Sequence, residues 1–135
     1  MKLLLDTSAY VGFKLGYPQL VDYLSQSDTI YVSPIMMGEL VFGFRNGSRF
    51  QENMEGLNRF LSHEVVDKIT IGELTADRYS RIAAQLKQQG TPIPSNDIWI
   101  AAQTMEYGAE LVTMDRHFEK VAGIVCRIFS PNTRN

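Results

Sequence analysis

The chain is predicted to fold as an α/β sandwich with a mostly parallel sheet of about five strands flanked by helices. Short apolar segments alternate along the sequence with longer segments whose apolar residues recur every three or four positions. The first pattern is typical of buried strands and the second of amphipathic helices. No internal repeat, low-complexity tract or long linker interrupts this alternation. We therefore expect residues 1–135 to form a single domain, with a flexible tail at 131–135.

The predicted strands are short and end at polar or turn-forming residues. Helical segments are predicted between them, and Ser33-Pro34 is a typical helix start, with serine as the N-cap and proline in the first turn. The loop from Gly90 to Pro94 is the clearest break in the chain. The predicted strands are residues 2–5, 29–32, 68–71, 110–114 and 124–129. The predicted helical segments follow Asp6, restart at Pro18, and then cover residues 34–44, 50 to about 63, 75–89 and 95 to about 107.

Composition narrows the class of protein. Hydrophobic residues make up 44% and charged residues 21% of the 135 positions, which fits a soluble globular domain. The net charge of −2 argues against a protein that coats nucleic acid by charge alone. The single cysteine, Cys126, excludes a disulfide framework. We find no signal peptide or membrane span in the sequence, and we expect a cytoplasmic protein.

Four acidic residues lie beside strand ends or helix starts, at positions spread along the chain: Asp6, Glu39, Asp97 and Asp115. The carboxyl ends of parallel strands meet at one edge of a sheet, so distant carboxylates can converge there. Converging carboxylates repel each other unless a divalent cation neutralises them. Helix capping by Asp97 and a salt bridge from Glu39 to Arg45 or another basic residue are the alternatives. Taken together, the four acids favour a metal site.

Small polar residues accompany the acids. Thr7, Asn96 and Thr113 could hydrogen-bond the carboxylates, although each is also a common cap or turn residue. His63, His117 and Cys126 have no HxxxH or CxxC spacing, so a zinc site is not expected. An oxygen-rich site instead suits Mg²⁺ or Mn²⁺.

Phosphodiester hydrolysis is the reaction that such a site favours, because these ions polarise a phosphoryl oxygen and activate water. Two other functions stay open at this point. One is a metal-dependent phosphatase with Asp6 as nucleophile, although Ser8 stands where the second aspartate of a DxD pattern would be. The other is a non-catalytic partner-binding module whose acidic cluster is structural.

The sequences around the four acids occur in the order and spacing of a known family. They are Asp6-Thr7-Ser8, Glu39-Leu40-Val41-Phe42-Gly43, Asn96-Asp97-Ile98-Trp99-Ile100-Ala101-Ala102 and Thr113-Met114-Asp115-Arg116-His117-Phe118. Over nearly its whole length the chain resembles the PIN-domain ribonucleases, and specifically the VapC toxins of bacterial and archaeal toxin–antitoxin pairs. The resemblance implies a PIN-like α/β/α sandwich and an RNA-cleaving toxin. It also implies that Asp6, Glu39, Asp97 and Asp115 form the catalytic Mg²⁺ or Mn²⁺ site, supported by Thr7, Asn96 and Thr113.

The same resemblance implies partners. VapC toxins usually form homodimers, and each is neutralised by a small VapB-like antitoxin that lies along an apolar groove near the active site. The substrate would be RNA, and no membrane is involved. The third and fourth helical segments carry more apolar residues than one small core needs, so some of them are expected to face a second chain. The candidates are Met37, Phe42, Phe44, Phe50, Phe60 and Leu61.

Overall fold

A computed structural model describes residues 1–131 and contains one five-stranded sheet in the order β3-β2-β1-β4-β5. Every pairing between neighbouring strands is parallel. The predicted α/β architecture is therefore confirmed. Of the expected tail, residues 132–135 lie outside the described part of the chain. The strands are β1 (Lys2–Leu5), β2 (Thr29–Val32), β3 (Val66–Lys68), β4 (Glu110–Thr113) and β5 (Val125–Ile128).

Six α-helices and one 3₁₀ helix connect the strands within the described residues. Ser33 begins α3 as predicted, since its hydroxyl oxygen accepts a hydrogen bond from the backbone N–H of Ile35 at 3.1 Å. The helices are α1 (Thr7–Lys14), α2 (Pro18–Ser25), α3 (Pro34–Arg45), α4 (Phe50–Leu61), α5 (Glu73–Gln89) and α6 (Ser95–Tyr107), and the 3₁₀ helix is Arg116–Lys120.

The helices cover both faces of the sheet because the chain reverses its direction across it. From β1 the chain moves outward through β2 to β3, and it then crosses back to β4 and β5. Right-handed crossovers that run in opposite directions place their helices on opposite faces. Leu3 and Leu5 accordingly pack with residues of α1–α4, whereas Leu4 packs with residues of α5 and α6. Alternate residues of the central strand β1 thus fill two separate cores.

The predicted strand at 68–71 was placed two residues too late. Val66 pairs with Ile30, and β3 ends at Lys68, after which the N–H of Ile69 still donates to Val32 O at 3.0 Å. Helix α5 also begins earlier than predicted, at Glu73. The reason is Thr75, whose hydroxyl accepts the N–H of Gly72 at 3.0 Å, so that it stabilises the first turn from inside the helix. Smaller differences, of one or two residues, occur at the ends of α3, α4, β4 and β5, whereas α6 has the predicted bounds.

Helix α3 is less buried than its sequence suggests. Only Met36 and Leu40 are buried, while the Phe42 side chain is 67% exposed. Phe42, a candidate for contact with a second chain, therefore lies outside the core of this chain. The position of α3 explains this exposure, because the helix packs against α1 and α4 on one side and meets α6 on another. This arrangement leaves one face of α3 open and brings that face to the carboxyl edge of the sheet.

None of the helices in residues 1–131 combines the length and the apolar character that crossing a membrane would require.

Candidate active site

The candidate site lies where the two central strands end. β1 and β4 are neighbours in the sheet, and the chain leaves them in opposite directions across it. Asp6 follows β1 directly, and Asp115 comes two residues after the end of β4. Ligands of open α/β sheets bind in the crevice at such a switch point, beyond the carboxyl ends of the strands. The fold thus brings together two acids that are far apart in sequence.

Asp6 is buried, and both of its carboxylate oxygens accept hydrogen bonds. The residue is only 6% exposed. Its Oδ1 accepts the N–H of Ala9 at 2.9 Å, which makes Asp6 the N-cap of α1. The Thr113 hydroxyl donates to Oδ2 at 2.5 Å, and the Ser8 hydroxyl lies 2.8 Å from Oδ1. Asp6 therefore has a fixed orientation before any ligand arrives.

Thr113 connects Asp6 to Asp115. While its hydroxyl donates to Asp6, the same oxygen accepts the N–H of Asp115 at 2.9 Å. Asp115 in turn begins the 3₁₀ helix, because its Oδ1 accepts the N–H of His117 at 2.9 Å. The predicted supporting role of Thr113 remains a prediction, but its position between the two acids provides a physical basis for it.

Glu39 projects from α3 and is held by two other predicted supporting residues. The Thr7 hydroxyl donates to its Oε1, and the side-chain amide of Asn96 donates to its Oε2 at 3.0 Å. These bonds join α1, α3 and the start of α6. The alternative salt bridge to Arg45 does not form, since the Arg45 guanidinium lies instead over the Phe50 ring, 4.6 Å from its centre. Glu39 is half-buried, and its partners are neutral.

Asp97 is the third residue of α6, and its carboxylate is directed toward another side chain. Its Oδ2 lies 3.1 Å from Nδ1 of His117. For Asp97, the sequence leaves helix capping as the alternative to a role in a metal site. Among the four acids, the two that cap a following helix in the structure are Asp6 and Asp115. Capping thus does not exclude a second role, because a carboxylate has more acceptor positions than one cap uses.

All four acids line one cleft of about 420 Å³. Among the described residues, the lining of this cleft includes no lysine or arginine. Nearby carboxylates therefore face each other without a permanent positive charge between them. The lining residues are Asp6, Thr7, Ser8, Glu39, Phe42, Asp97, Ile100 and Asp115.

Burial and crowding act on the protonation of these acids. Burial raises the pKa of Asp6 from its ordinary 3.8 to about 6, although the hydrogen bonds from Thr113, Ala9 and Ser8 oppose this rise and the Asp97 charge adds to it. Burial also raises the pKa of Asp97; the hydrogen bond with His117 opposes this rise, and the carboxylates of Asp115 and Glu39 add to it. A cation in the cleft would relieve both effects, because it stabilises the ionised forms.

The donor set fits a divalent cation. One ligand atom each from Asp97, Asp115 and His117 can be chosen so that all lie within 4.8 Å of one another. Asp6 and Glu39 bring further carboxylate oxygens to the same cleft. His117 is the residue that sequence reasoning missed, because its lack of HxxxH spacing set it aside. The available signal was its position two residues after Asp115, at the start of a turn that follows a central strand.

The raised pKa of Asp6 predicts a pH dependence of stability. The folded state keeps the Asp6 proton up to about pH 6, whereas the unfolded chain loses it near pH 3.8, so stability from this group falls as the pH rises through that window. Each pKa unit corresponds to about 1.4 kcal/mol, so ionising Asp6 costs the fold about 3 kcal/mol. Asp6→Asn should therefore gain about that much stability relative to wild type between pH 4 and pH 8. Urea unfolding in EDTA measures this difference.

Asp77→Asn is the matched control. Arg81 and Arg78 hold the pKa of the exposed Asp77 below its ordinary value, so that substitution should show the opposite sign. If the difference in unfolding free energy between Asp6→Asn and wild type were the same at all pH values, Asp6 would not be a buried carboxylate with a raised pKa.

Comparison with known proteins places the chain in a family. The PIN domain model matches residues 3–124. Ribonuclease VapC1 of Haemophilus influenzae (strain R2866) is 26% identical over 129 residues, which cover 92% of this chain and 95% of the relative. VapBC2 of Rickettsia felis, solved bound to a DNA fragment from its promoter, contains a chain with TM-score 0.86 and 24% identity, covering 96% of this chain and 100% of that one. VapBC-1 of nontypeable Haemophilus influenzae gives TM-score 0.84 and 25% identity, with 95% and 98% covered. The chain belongs to the PIN domain family.

Proposed function

We propose that this protein is a divalent-metal-dependent endoribonuclease of the VapC toxin type and that Asp6, Glu39, Asp97 and Asp115 form its catalytic site. The single observation that carries this proposal is the convergence of the four acids in one cleft between the ends of β1 and β4. Membership of the PIN domain family and likeness to a VapC ribonuclease over nearly the whole chain support the same function.

The four acids would hold Mg²⁺ or Mn²⁺, and the supporting residues would hold the acids. Thr113 and Ser8 orient Asp6, while Thr7 and Asn96 orient Glu39 from two different helices. A bound cation supplies polarisation of a phosphoryl oxygen and activation of a water molecule. Because no lysine or arginine lines the cleft in the described structure, the anionic RNA backbone would be attracted only when the cation is present. RNA binding and metal binding are therefore coupled in this proposal.

The phosphatase alternative is poorly supported by the surroundings of Asp6. A nucleophilic carboxylate needs an accessible oxygen, yet Asp6 is 6% exposed and both of its oxygens accept hydrogen bonds. Ser8, which occupies the second acidic position of the DxD pattern, donates its hydroxyl hydrogen to Asp6. Asp6 thus serves better as an oriented anion than as an attacking group. The non-catalytic module is disfavoured by the likeness to ribonucleases.

Two surfaces are available for protein partners. The open face of α3 presents Ile35, Gly38 and Phe42 at helical spacing beside Asn96, and we assign it to a homodimer contact. A separate groove of about 320 Å³ runs between α1, α3 and α4, and it combines apolar side chains such as Val11 and Leu15 with Lys14 and Arg59. We assign this groove to a VapB-like antitoxin, since the similar solved chains belong to VapBC assemblies. A cytoplasmic location, where RNA and such an antitoxin are present, completes the proposal.

Asp97→Asn should abolish RNA cleavage. The substitution keeps the shape of the side chain but removes one negative charge from the cation site, and loss of cation chemistry of this kind costs about 100-fold or more in rate. The measurement is the sequencing of new RNA 5′ ends after brief expression, together with cleavage by the purified protein in Mg²⁺ or Mn²⁺.

Asp77→Asn is the control for this experiment, because Asp77 is an exposed aspartate near the start of α5 and pairs with Arg78 and Arg81. It should cleave at the same sites as wild type. If the purified Asp97→Asn protein, free of contaminating nuclease, kept full activity, the assignment of the catalytic site would be wrong.

Phe42→Glu should dissociate the homodimer. The substitution places a charge in the centre of the exposed α3 face, where Phe42 is 67% exposed in the single chain. Light scattering should give about twice the chain mass of 15.3 kDa for wild type and the single mass for the variant. Leu15→Glu, which alters a 65% exposed residue in the other groove, should remain dimeric.

An unchanged mass for Phe42→Glu would reject the dimer assignment. If that variant instead failed to bind a co-expressed antitoxin while its mass stayed the same, the α3 face would belong to the antitoxin.

A further inference from the structure

His117 is held over the acidic cleft by its neighbours in the chain. It lies in the short 3₁₀ helix Arg116–Lys120, which Asp115 begins by accepting the His117 N–H at 2.9 Å. The next residue, Phe118, is 1% exposed and packs in the core beneath α5 and α6. With the backbone fixed on one side and Phe118 anchored on the other, the imidazole has a defined position.

That position places Nδ1 of His117 at matching distances from two acids. It lies 3.1 Å from Asp97 Oδ2 and 3.1 Å from Asp115 Oδ1. Two ligand atoms at right angles around an ion, each bonded at about 2.1 Å, are separated by about 3.0 Å. Nδ1 of His117 therefore has the spacing of a neighbouring ligand to each of the two oxygens, and one ligand atom of each of the three residues lies within 4.8 Å of the others. The side chain is 44% exposed, so a hydrated ion can approach from the cleft.

We propose that Nδ1 of His117 is a nitrogen ligand of the divalent cation, beside Asp97 and Asp115, and that it makes the site prefer Mn²⁺ to Mg²⁺. This inference rests on the proposed function, because it concerns the same cation. It changes the expected all-oxygen site into a mixed nitrogen and oxygen site.

The preference for Mn²⁺ over Mg²⁺ follows from how each ion binds an imidazole nitrogen. Mg²⁺ takes oxygen ligands and gives up its water reluctantly, so an imidazole adds little to its binding. Mn²⁺ also favours oxygen and is the weakest binder of the divalent transition-metal series, but as a softer ion than Mg²⁺ it accepts an imidazole nitrogen more readily. One histidine among several carboxylates therefore shifts the balance between these two ions without excluding Mg²⁺.

A purely positioning role for His117 is the competing explanation. In that role its ring N–H would only hydrogen-bond the Asp97 and Asp115 carboxylates and keep them apart. His117→Asn separates the two roles, since the asparagine amide nitrogen occupies nearly the place of Nδ1 and can donate the same hydrogen bond, but it is not an imidazole ligand. His63→Asn is the matched control, because the sequence contains only two histidines and His63 is exposed outside the cleft.

The experiment is pulsed electron paramagnetic resonance of Mn²⁺ bound to the full-length protein, combined with calorimetric titration of Mn²⁺ and Mg²⁺. Wild type and His63→Asn should show coupling of the Mn²⁺ electron spin to a ligand ¹⁴N nucleus, and His117→Asn should not. The Mn²⁺ affinity of His117→Asn should fall about 10–100-fold, with a much smaller change for Mg²⁺.

Bound Mn²⁺ without nitrogen coupling in wild type would overturn the role of His117 while leaving the metal site in place. If His117→Asn bound each ion, Mn²⁺ and Mg²⁺, as tightly as wild type does, His117 would not be a ligand of the cation and would be a positioning residue. Failure of the wild-type protein to bind Mn²⁺ at all would instead reject the metal site of the proposed function.

Discussion

The repulsion among four carboxylates at one edge of the sheet is the constraint on which the rest of this structure depends. The order of the strands places Asp6 and Asp115 side by side, and α3 and α6 bring Glu39 and Asp97 to the same cleft. Such an arrangement is unfavourable for an isolated domain, because burial and like charge both oppose ionisation. The raised pKa of Asp6 expresses mainly the cost of burial, to which the charge of Asp97 adds a smaller part.

Neutral hydrogen-bond donors make the arrangement tolerable without filling the cleft with positive charge. The hydroxyl groups of Ser8, Thr7 and Thr113 and the amide of Asn96 each donate to one of the acids. A lysine or arginine in their place would neutralise the acids permanently and compete with a cation. The neutral donors instead orient the carboxylates without neutralising their negative charge, so that the charge can attract a cation. In the proposed function, binding of a cation would recover the stability that is lost through crowding.

Much of the fold and of the candidate site could be predicted from the sequence. The alternation of apolar strands and amphipathic helices predicted the parallel sheet, and the position of Asp6 and Asp115 after two strands predicted their meeting, because parallel strands share a carboxyl edge.

Three features of the structure could not be predicted from the sequence. The third strand was misplaced because Val66 and Ile69 both face neighbours in this sheet region, so the apolar pattern did not mark its ends. The open face of α3 could not be located from the sequence, because Phe42 on that face is as apolar as the buried Leu40. The position of His117 beside the acids could not be predicted, because α6 and the 3₁₀ helix bring Asp97 and Asp115 to it and no spacing to another histidine marks it.

The central claim is that the four acids form a divalent-cation site, and calorimetric titration of the protein with Mn²⁺ at pH 8 and pH 5 tests it most directly. Protons compete with the cation for crowded carboxylates, and Asp6 takes up its proton near pH 6 in the metal-free protein. We expect Mn²⁺ to bind at pH 8 with release of protons and to bind much more weakly at pH 5. Equal affinity at the two pH values would contradict a shared acidic site.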